Sequence, residues 1–199
     1  CWKTYVGRPE ENLIRRGAMK KLGTAMFKGS RYEEALAIFK SCLAQDGRSN
    51  DEMYVTQGNI ACCYAETGRV KEALKIFRKL YALSVKRGGY DSACTHREAS
   101  NVAECLLVLN KLGEAEDFLN DVMPIAERSL GCDHKWTLIL RMWYGKLLCR
   151  KADASAIDIL EDTVQRSNRV LGPNHPGSKQ VQEALDDARA KLAALDSSY

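Results

Sequence analysis

Three histidines and eight cysteines carry most of the reactive chemistry that this 199-residue chain could support. His134 and His175 sit at the same place in two copies of one segment, Leu130-Gly-Cys-Asp-His134-Lys-Trp-Thr137 and Leu171-Gly-Pro-Asn-His175-Pro-Gly-Ser178, which lie 41 residues apart. An imidazole can be a metal ligand or a general base, but one repeated in a connector is better explained as a loop side chain bonding to backbone. Cys94-Thr-His96 is a Cys/His cluster, but such a pair alone is weak evidence for a zinc site. Adjacent Cys62 and Cys63 cannot both face the core from one helix, so one is expected on the surface, where oxidation is the chemistry open to it. No Gly-rich phosphate loop follows a strand, and no Ser/His/Asp or paired-carboxylate arrangement stands out. The chain therefore reads as a non-enzyme with no catalytic residues, no metal and no cofactor.

Composition narrows the class further. Thirty basic and 26 acidic residues give a net charge of +4, mild and intermixed, which does not call for nucleic acid as a partner. The longest apolar runs, such as Cys105 to Leu109 and Trp136 to Leu140, are far short of the roughly 18 to 20 residues that span a bilayer, so no direct membrane insertion is expected. Cys42, Cys62, Cys63, Cys94, Cys105 and Cys149 fall within helical patterns and read as thiols packed like small apolar side chains. With no Asn-x-Ser/Thr sequon, a reducing compartment follows: the cytoplasm, or an organellar matrix. The sequence opens at Cys1 without Met, which reads as a cut end, with residues 1–12 as a lead-in from a longer chain.

The elements that position these residues are repetitive. Ala35/Phe39, Ala73/Phe77, Ala115/Leu119 and Ala156/Leu160 are four Ala-x-x-x-bulky pairs whose alanines stand 38, 42 and 41 residues apart. Each pair is preceded by a helical pattern with a small residue, Gly23, Ala61, Ala103 or Gly145, where two helices would cross closely. Turns fall at Gly29-Ser30-Arg31, Thr67-Gly68-Arg69, Asn110-Lys111 and 150–154, and Gly68 and Asn110 can take the left-handed conformation that ends a helix. The small residue precedes the alanine by twelve positions in the first three units and by eleven in the fourth. In the two copied connectors, Leu-Gly is expected to end a helix with a left-handed cap. Thr137 or Ser178, or Asp133 or Asn174 just before them, would cap the next. Val181, Ala184, Leu185, Ala188 and Leu192 form one stripe of a last amphipathic helix.

Ala61, Tyr64, Gly68, Ala73 and Phe77 match, position for position, the pattern of the tetratricopeptide repeat (TPR), which the chain resembles over residues 13–165. The connectors, with Asn59 and Asn101 before the apolar-small pair of the first helix, look like the kinesin-light-chain subclass; residues 46–50 and 88–92 depart from it, lacking Leu-Gly and His. The resemblance implies an all-α fold, a right-handed α-α superhelix (solenoid) of about four helix-turn-helix units at 13–45, 54–87, 96–129 and 137–170. Residues 13–176 would form the array and 177–199 a C-terminal capping helix and tail. It also implies a concave face lined by the first helix of each unit. Read onto this chain, that face takes Lys20, Lys21, Thr24, Asn59, Cys62, Arg97, Asn101, Trp143 and Lys146, together with Val55, Ser100, Glu104 and Met142. Lys20, Asn59 and Arg97 occupy three of the five positions that clamp a heat-shock protein's C-terminal carboxylate in chaperone-binding members. Thr24 and Asn101 depart from the other two.

The function implied is that of an adaptor or scaffold. It would hold a peptide or helical segment of a protein partner in the groove, through acidic side chains or a C-terminal carboxylate met by Lys, Arg and Asn. The alternatives are a structural subunit embedded in a larger complex and the regulatory region of a longer enzyme. Charge reversal at Lys20 and Arg97 is expected to weaken binding while leaving thermal stability almost unchanged.

Overall fold

Helical periodicity with a small residue at each crossing becomes, in the computed structural model, a chain of helices. The structure describes residues 9–44 and 50–196. Most of the expected lead-in, the end of the first unit with the connector beginning at Asp46, and the last residues of the tail lie outside the described residues. Among the described residues there are nine helices and no strand. In chain order they are α1 (Pro9–Lys28), α2 (Tyr32–Ala44), α3 (Asn50–Glu66), α4 (Val70–Gly88), α5 (Ala93–Val108), α6 (Leu112–Leu130), α7 (Lys135–Arg150), α8 (Ser155–Leu171) and α9 (Pro176–Asp196). The fold is an all-α helical repeat of the solenoid type.

Two compact units divide the chain, residues 1–80 and 81–199. In the first, Ala35, Leu36, Phe39, Ile60 and Cys63 form a buried cluster, with Met26, Phe27, Tyr64 and Ile76 packed around it. Residues of the second buried to 2 % exposure or less include Leu106, Leu119, Leu138, Leu147, Leu160 and Ala188. Here α5 packs on α6 and α7, α7 on α8 and α9, and α8 on α9. The final helix thus stands where the first helix of a further repeat would stand.

The small residues act as the crossing argument requires. A methyl group on Gly145 would stand 2.6 Å from Leu160 Cγ, and one on Gly23 would stand 2.8 Å from Phe39 Cε1. In both units the helix-A glycine receives the bulky residue four positions beyond the helix-B alanine.

Each of the four intra-pair turns is closed by the same two backbone bonds. Arg31, Arg69, Lys111 and Asp153 donate N–H to the carbonyls of Met26, Tyr64, Leu106 and Leu148. The preceding residues Ser30, Gly68, Asn110 and Ala152 donate to Phe27, Ala65, Leu107 and Cys149. This is the Schellman closure, which needs a left-handed residue. Those four residues have φ of 58°, 79°, 54° and 58°. In the first unit Ser30, not its neighbour Gly29, takes that conformation. Every left-handed residue follows its small helix-A residue by seven positions, so the fourth unit loses its residue after the turn. Ala35, Ala73 and Ala115 donate to the carbonyl four residues back, whereas Ala156 donates to Asp153 only three back. Ser155 N–H and Oγ–H both donate to Asp153 Oδ1, at 2.9 and 2.6 Å. A tighter first turn of α8 absorbs the deletion and preserves the Gly145/Leu160 crossing.

Candidate functional site

In the first unit, helical spacing on α1 and α3 brings three of the expected groove residues to one place. Thr24, Asn59 and Cys62 line an open pocket of about 40 Å³ whose remaining walls are Phe27 and Phe39. The lining combines an amide, a hydroxyl, a thiol and two aromatic rings. Thr24 Oγ donates to the Lys20 carbonyl at 2.9 Å, leaving its lone pairs to accept. Cys62 is half-buried at the pocket and its neighbour Cys63 is fully buried, where burial above all pushes its thiol pKa up to about 11. The seven described cysteines form no disulfide. Lys20 is half-buried, while Lys21 and Val55 are exposed.

In the second unit, Arg97 and Asn101 of α5 converge on a carboxylate of the same helix. Arg97 Nε and Nη2 donate to Glu98 Oε1 at 3.0 and 2.8 Å, and Asn101 Nδ2 donates to Oε2 at 3.2 Å. Glu98 is only 2 % exposed. Truncating a partner of a buried charge leaves the other uncompensated, so reversal at Arg97 would set two like charges together in a poorly solvated place. This corrects the expectation that such a change spares stability. Glu104 is exposed, but Ser100 and Met142 are buried, so neither offers a ligand more than a trace of surface. Trp143 on α7 is 7 % exposed, and the Lys146 ammonium lies 4.9 Å from its ring centroid.

The connector histidines cap helices. Trp136 N–H donates to His134 Nδ1 at 3.3 Å, and Gly177 N–H donates to His175 Nδ1 at 3.0 Å. Each ring therefore carries its proton on Nε2. Burial, then Lys135, holds the His134 pKa below its usual value. The capping residues expected instead do other things. Thr137 Oγ donates to the Ala126 carbonyl and Ser178 Oγ to the Ser167 carbonyl, each reaching back eleven residues into the preceding helix. Asp133 accepts Arg166 Nη1 at 3.1 Å and Arg169 Nη2 at 2.6 Å. Asp162 accepts Arg166 Nε and Arg141 Nη2, and Glu127 accepts Arg141 Nη1, so a chain of charges links α6, α7 and α8. Hydrogen bonds, chiefly from Arg166, hold the Asp133 and Asp162 carboxyls below the usual carboxylate range. His96 is buried at 1 % exposure, with Nε2 3.3 Å from Ser129 Oγ. Because that hydroxyl donates to the Ile125 carbonyl, His96 is the donor. It belongs to the packing of α5 on α6.

Glu98 was not legible as a partner of Arg97, since adjacent helix residues do not face each other by helical geometry; its relation to Asn101 at i,i+3 was the available signal. The terminal arginine of α7 was also missed: Arg150 Nη1 donates to the Leu107 carbonyl near the end of α5. Among the described residues, no three His, Cys, Asp or Glu side chains converge to hold a metal ion, and no helix is long and apolar enough to cross a membrane.

Comparison with known proteins agrees with this architecture. The tetratricopeptide repeat family model matches residues 147–177. The nearly identical TPR-like repeats of a Podosopora anserina protein assigned as a kinesin light chain superpose with a TM-score of 0.67 at 19% identity, over 90% of this chain and 88% of that one. A single-substitution variant of that protein gives 0.66 at 19% identity over 92% and 96%. BtubC (BKLC) from P. vanneervenii gives 0.61 at 17% identity over 92% and 83%. No curated protein sequence matches. The chain thus carries a tetratricopeptide-repeat segment and shares the fold of kinesin-light-chain-like repeat proteins.

Proposed function

We propose that this chain is a non-enzymatic interaction module, an adaptor or scaffold, that holds an extended or helical segment of a protein partner against the first helices of its repeats. Stacked helical repeats present long surfaces to other polypeptides, and their chemistry resides in the side chains lining those surfaces. The observation that carries the reading is the pocket of Thr24, Phe27, Phe39, Asn59 and Cys62. It joins an amide, able to donate to and accept from a peptide backbone, to an aromatic wall that an apolar side chain can enter. Lys20, Lys21 and Lys146 favour a partner segment bearing acidic side chains or a terminal carboxylate.

The test is a displayed-peptide selection against the whole chain, followed by affinity measurement of the selected peptide on the wild type and on Cys62→Phe, which fills the pocket. The expected loss is at least about tenfold, as for an anchor side chain denied its pocket. Helical circular dichroism should be unchanged. Selected peptides that bind both proteins equally would remove the pocket from the function.

A further inference from the structure

A second cleft, of about 100 Å³, lies between α7 and α9 within the second unit. Lys146, Cys149 and Arg150 line it from α7 at i, i+3 and i+4; Ala184, Asp187, Ala188 and Lys191 line it from α9 on one stripe. We propose that this cleft binds one carboxylate of an acidic peptide, together with the peptide N–H beside it; the proposal rests on the interaction-module reading and gives that function a second contact point.

Charge comes first. Three cations face a single carboxylate, Asp187, and among the described residues neither the cations nor Asp187 form an ion pair. Anchoring follows. The Arg150 guanidinium is held by its bond to the Leu107 carbonyl, so it loses little freedom when its other N–H groups take an anion. Lys146 is likewise positioned by the face of Trp143. Space follows. The buried alanines Ala184 and Ala188 leave the cleft open, with room for a carboxylate and the methylenes that carry it. Asp187 sets the final condition. Its carboxylate would repel a polyanion, yet it can accept a hydrogen bond from the amide next to an acidic group. A peptide residue carrying both a carboxylate and an N–H satisfies the whole lining. The carboxylate can belong to an Asp or Glu side chain or to a chain terminus.

The experiment is a titration of the ¹⁵N-labelled chain with Gly-Ser-Gly-Ser-Asp-Glu as the free acid, with its C-terminal amide, and with Gly-Ser-Gly-Ser-Asn-Gln as the free acid. Saturable amide shifts are expected over residues 146–150 and 184–191. Binding retained by the amide assigns the carboxylate to a side chain, and binding retained only by the two free acids assigns it to the terminus. Lys146→Gln with Lys191→Gln should weaken binding at least about tenfold, as expected when hydrogen bonds to a charged group are lost, with helical circular dichroism intact. Shifts confined to residues around Thr24 and Asn59 would overturn the cleft assignment while leaving the interaction-module reading in place. An absence of saturable shifts with all three peptides, or affinity unchanged in the double variant, would also overturn it; failure of the broader reading shows separately, in the Cys62→Phe comparison.

Discussion

Gly145→Ala puts the repeat geometry to a quantitative test. Alanine is favoured over glycine inside a helix by about 1 kcal/mol, so on local grounds the substitution should stabilise α7. Tertiary structure opposes this. The new methyl would stand 2.6 Å from Leu160 Cγ, 2.7 Å from Cδ2 and 3.2 Å from Cδ1. Ordinary carbon contacts lie near 3.5–4.0 Å, so the overlap approaches ~1 Å. Leu160 has no exposed surface, and Cγ is its branch point, so it cannot yield without moving both methyl groups. Overpacking of this kind costs about 1–3 kcal/mol, which leaves a net destabilisation of up to about 2 kcal/mol after the propensity gain. Leu160→Ala alone should cost about 2–5 kcal/mol through the cavity it opens. In that background Gly145→Ala should change sign and stabilise by up to about 1 kcal/mol, because its methyl enters vacated space. The assay is urea unfolding followed by the fluorescence of Trp136 and Trp143, both in the second unit. A stabilising Gly145→Ala in the wild-type background, or one still destabilising beside Leu160→Ala, would refute the crossing argument.

Other substitutions separate backbone effects from packing. Gly131 and Gly172 have φ of 88° with ψ of 158° and 152°, a region open essentially to glycine, and an added Cβ meets nothing within 4 Å. Alanine at either should therefore cost about 1–3 kcal/mol in chemical unfolding, from the backbone alone, and asparagine should not rescue it as it would at a left-handed cap. Ala152, at φ 58°, is the opposite case: Ala152→Gly should raise the stability of the second unit by about 1 kcal/mol. Acid should destabilise this unit through two histidines. His134 and His96 both have pKa values held below 6.5, in each case chiefly by burial, so between those depressed values and 6.5 the unfolded chain binds more protons than the folded one. Stability present above 6.5 is then lost as pH falls through the folded values. His134→Asn retains a capping side chain and should flatten part of that slope in thermal unfolding followed across pH.

The histidines show how legible the local chemistry was. Their repetition in a connector argued for a backbone-bonding role, and both Nδ1 atoms accept helix N–H groups. Which connector residue would cap was not readable, because His, Asp, Asn, Thr and Ser all carry suitable acceptors within a few positions. Asp133 was claimed by Arg166 and Arg169, and Thr137 by the Ala126 carbonyl, all partners distant in sequence. The Leu-Gly ending was legible as a positive-φ glycine, but ψ near 155° rather than the left-handed value is set by the path to the next helix. In the candidate groove, Thr24, Asn59 and Cys62 do share one pocket, whereas Ser100 and Met142 proved buried.

Composition, period and the small residues at fixed offsets determined by themselves that the chain is a helical repeat, where its turns fall and which alanines lie at the crossings. These are local or strictly periodic properties, and the 3.6-residue helix converts them directly into faces. Only the tertiary structure decided which charges are taken. Glu98 holds Arg97 and Asn101, Leu107 holds Arg150, and α9 turns Lys146 from an isolated surface cation into one wall of a cleft. Such pairings depend on rotamers and on which helices meet. Side chains many residues apart compete for the same partners, and a single sequence records the competitors without recording the outcome.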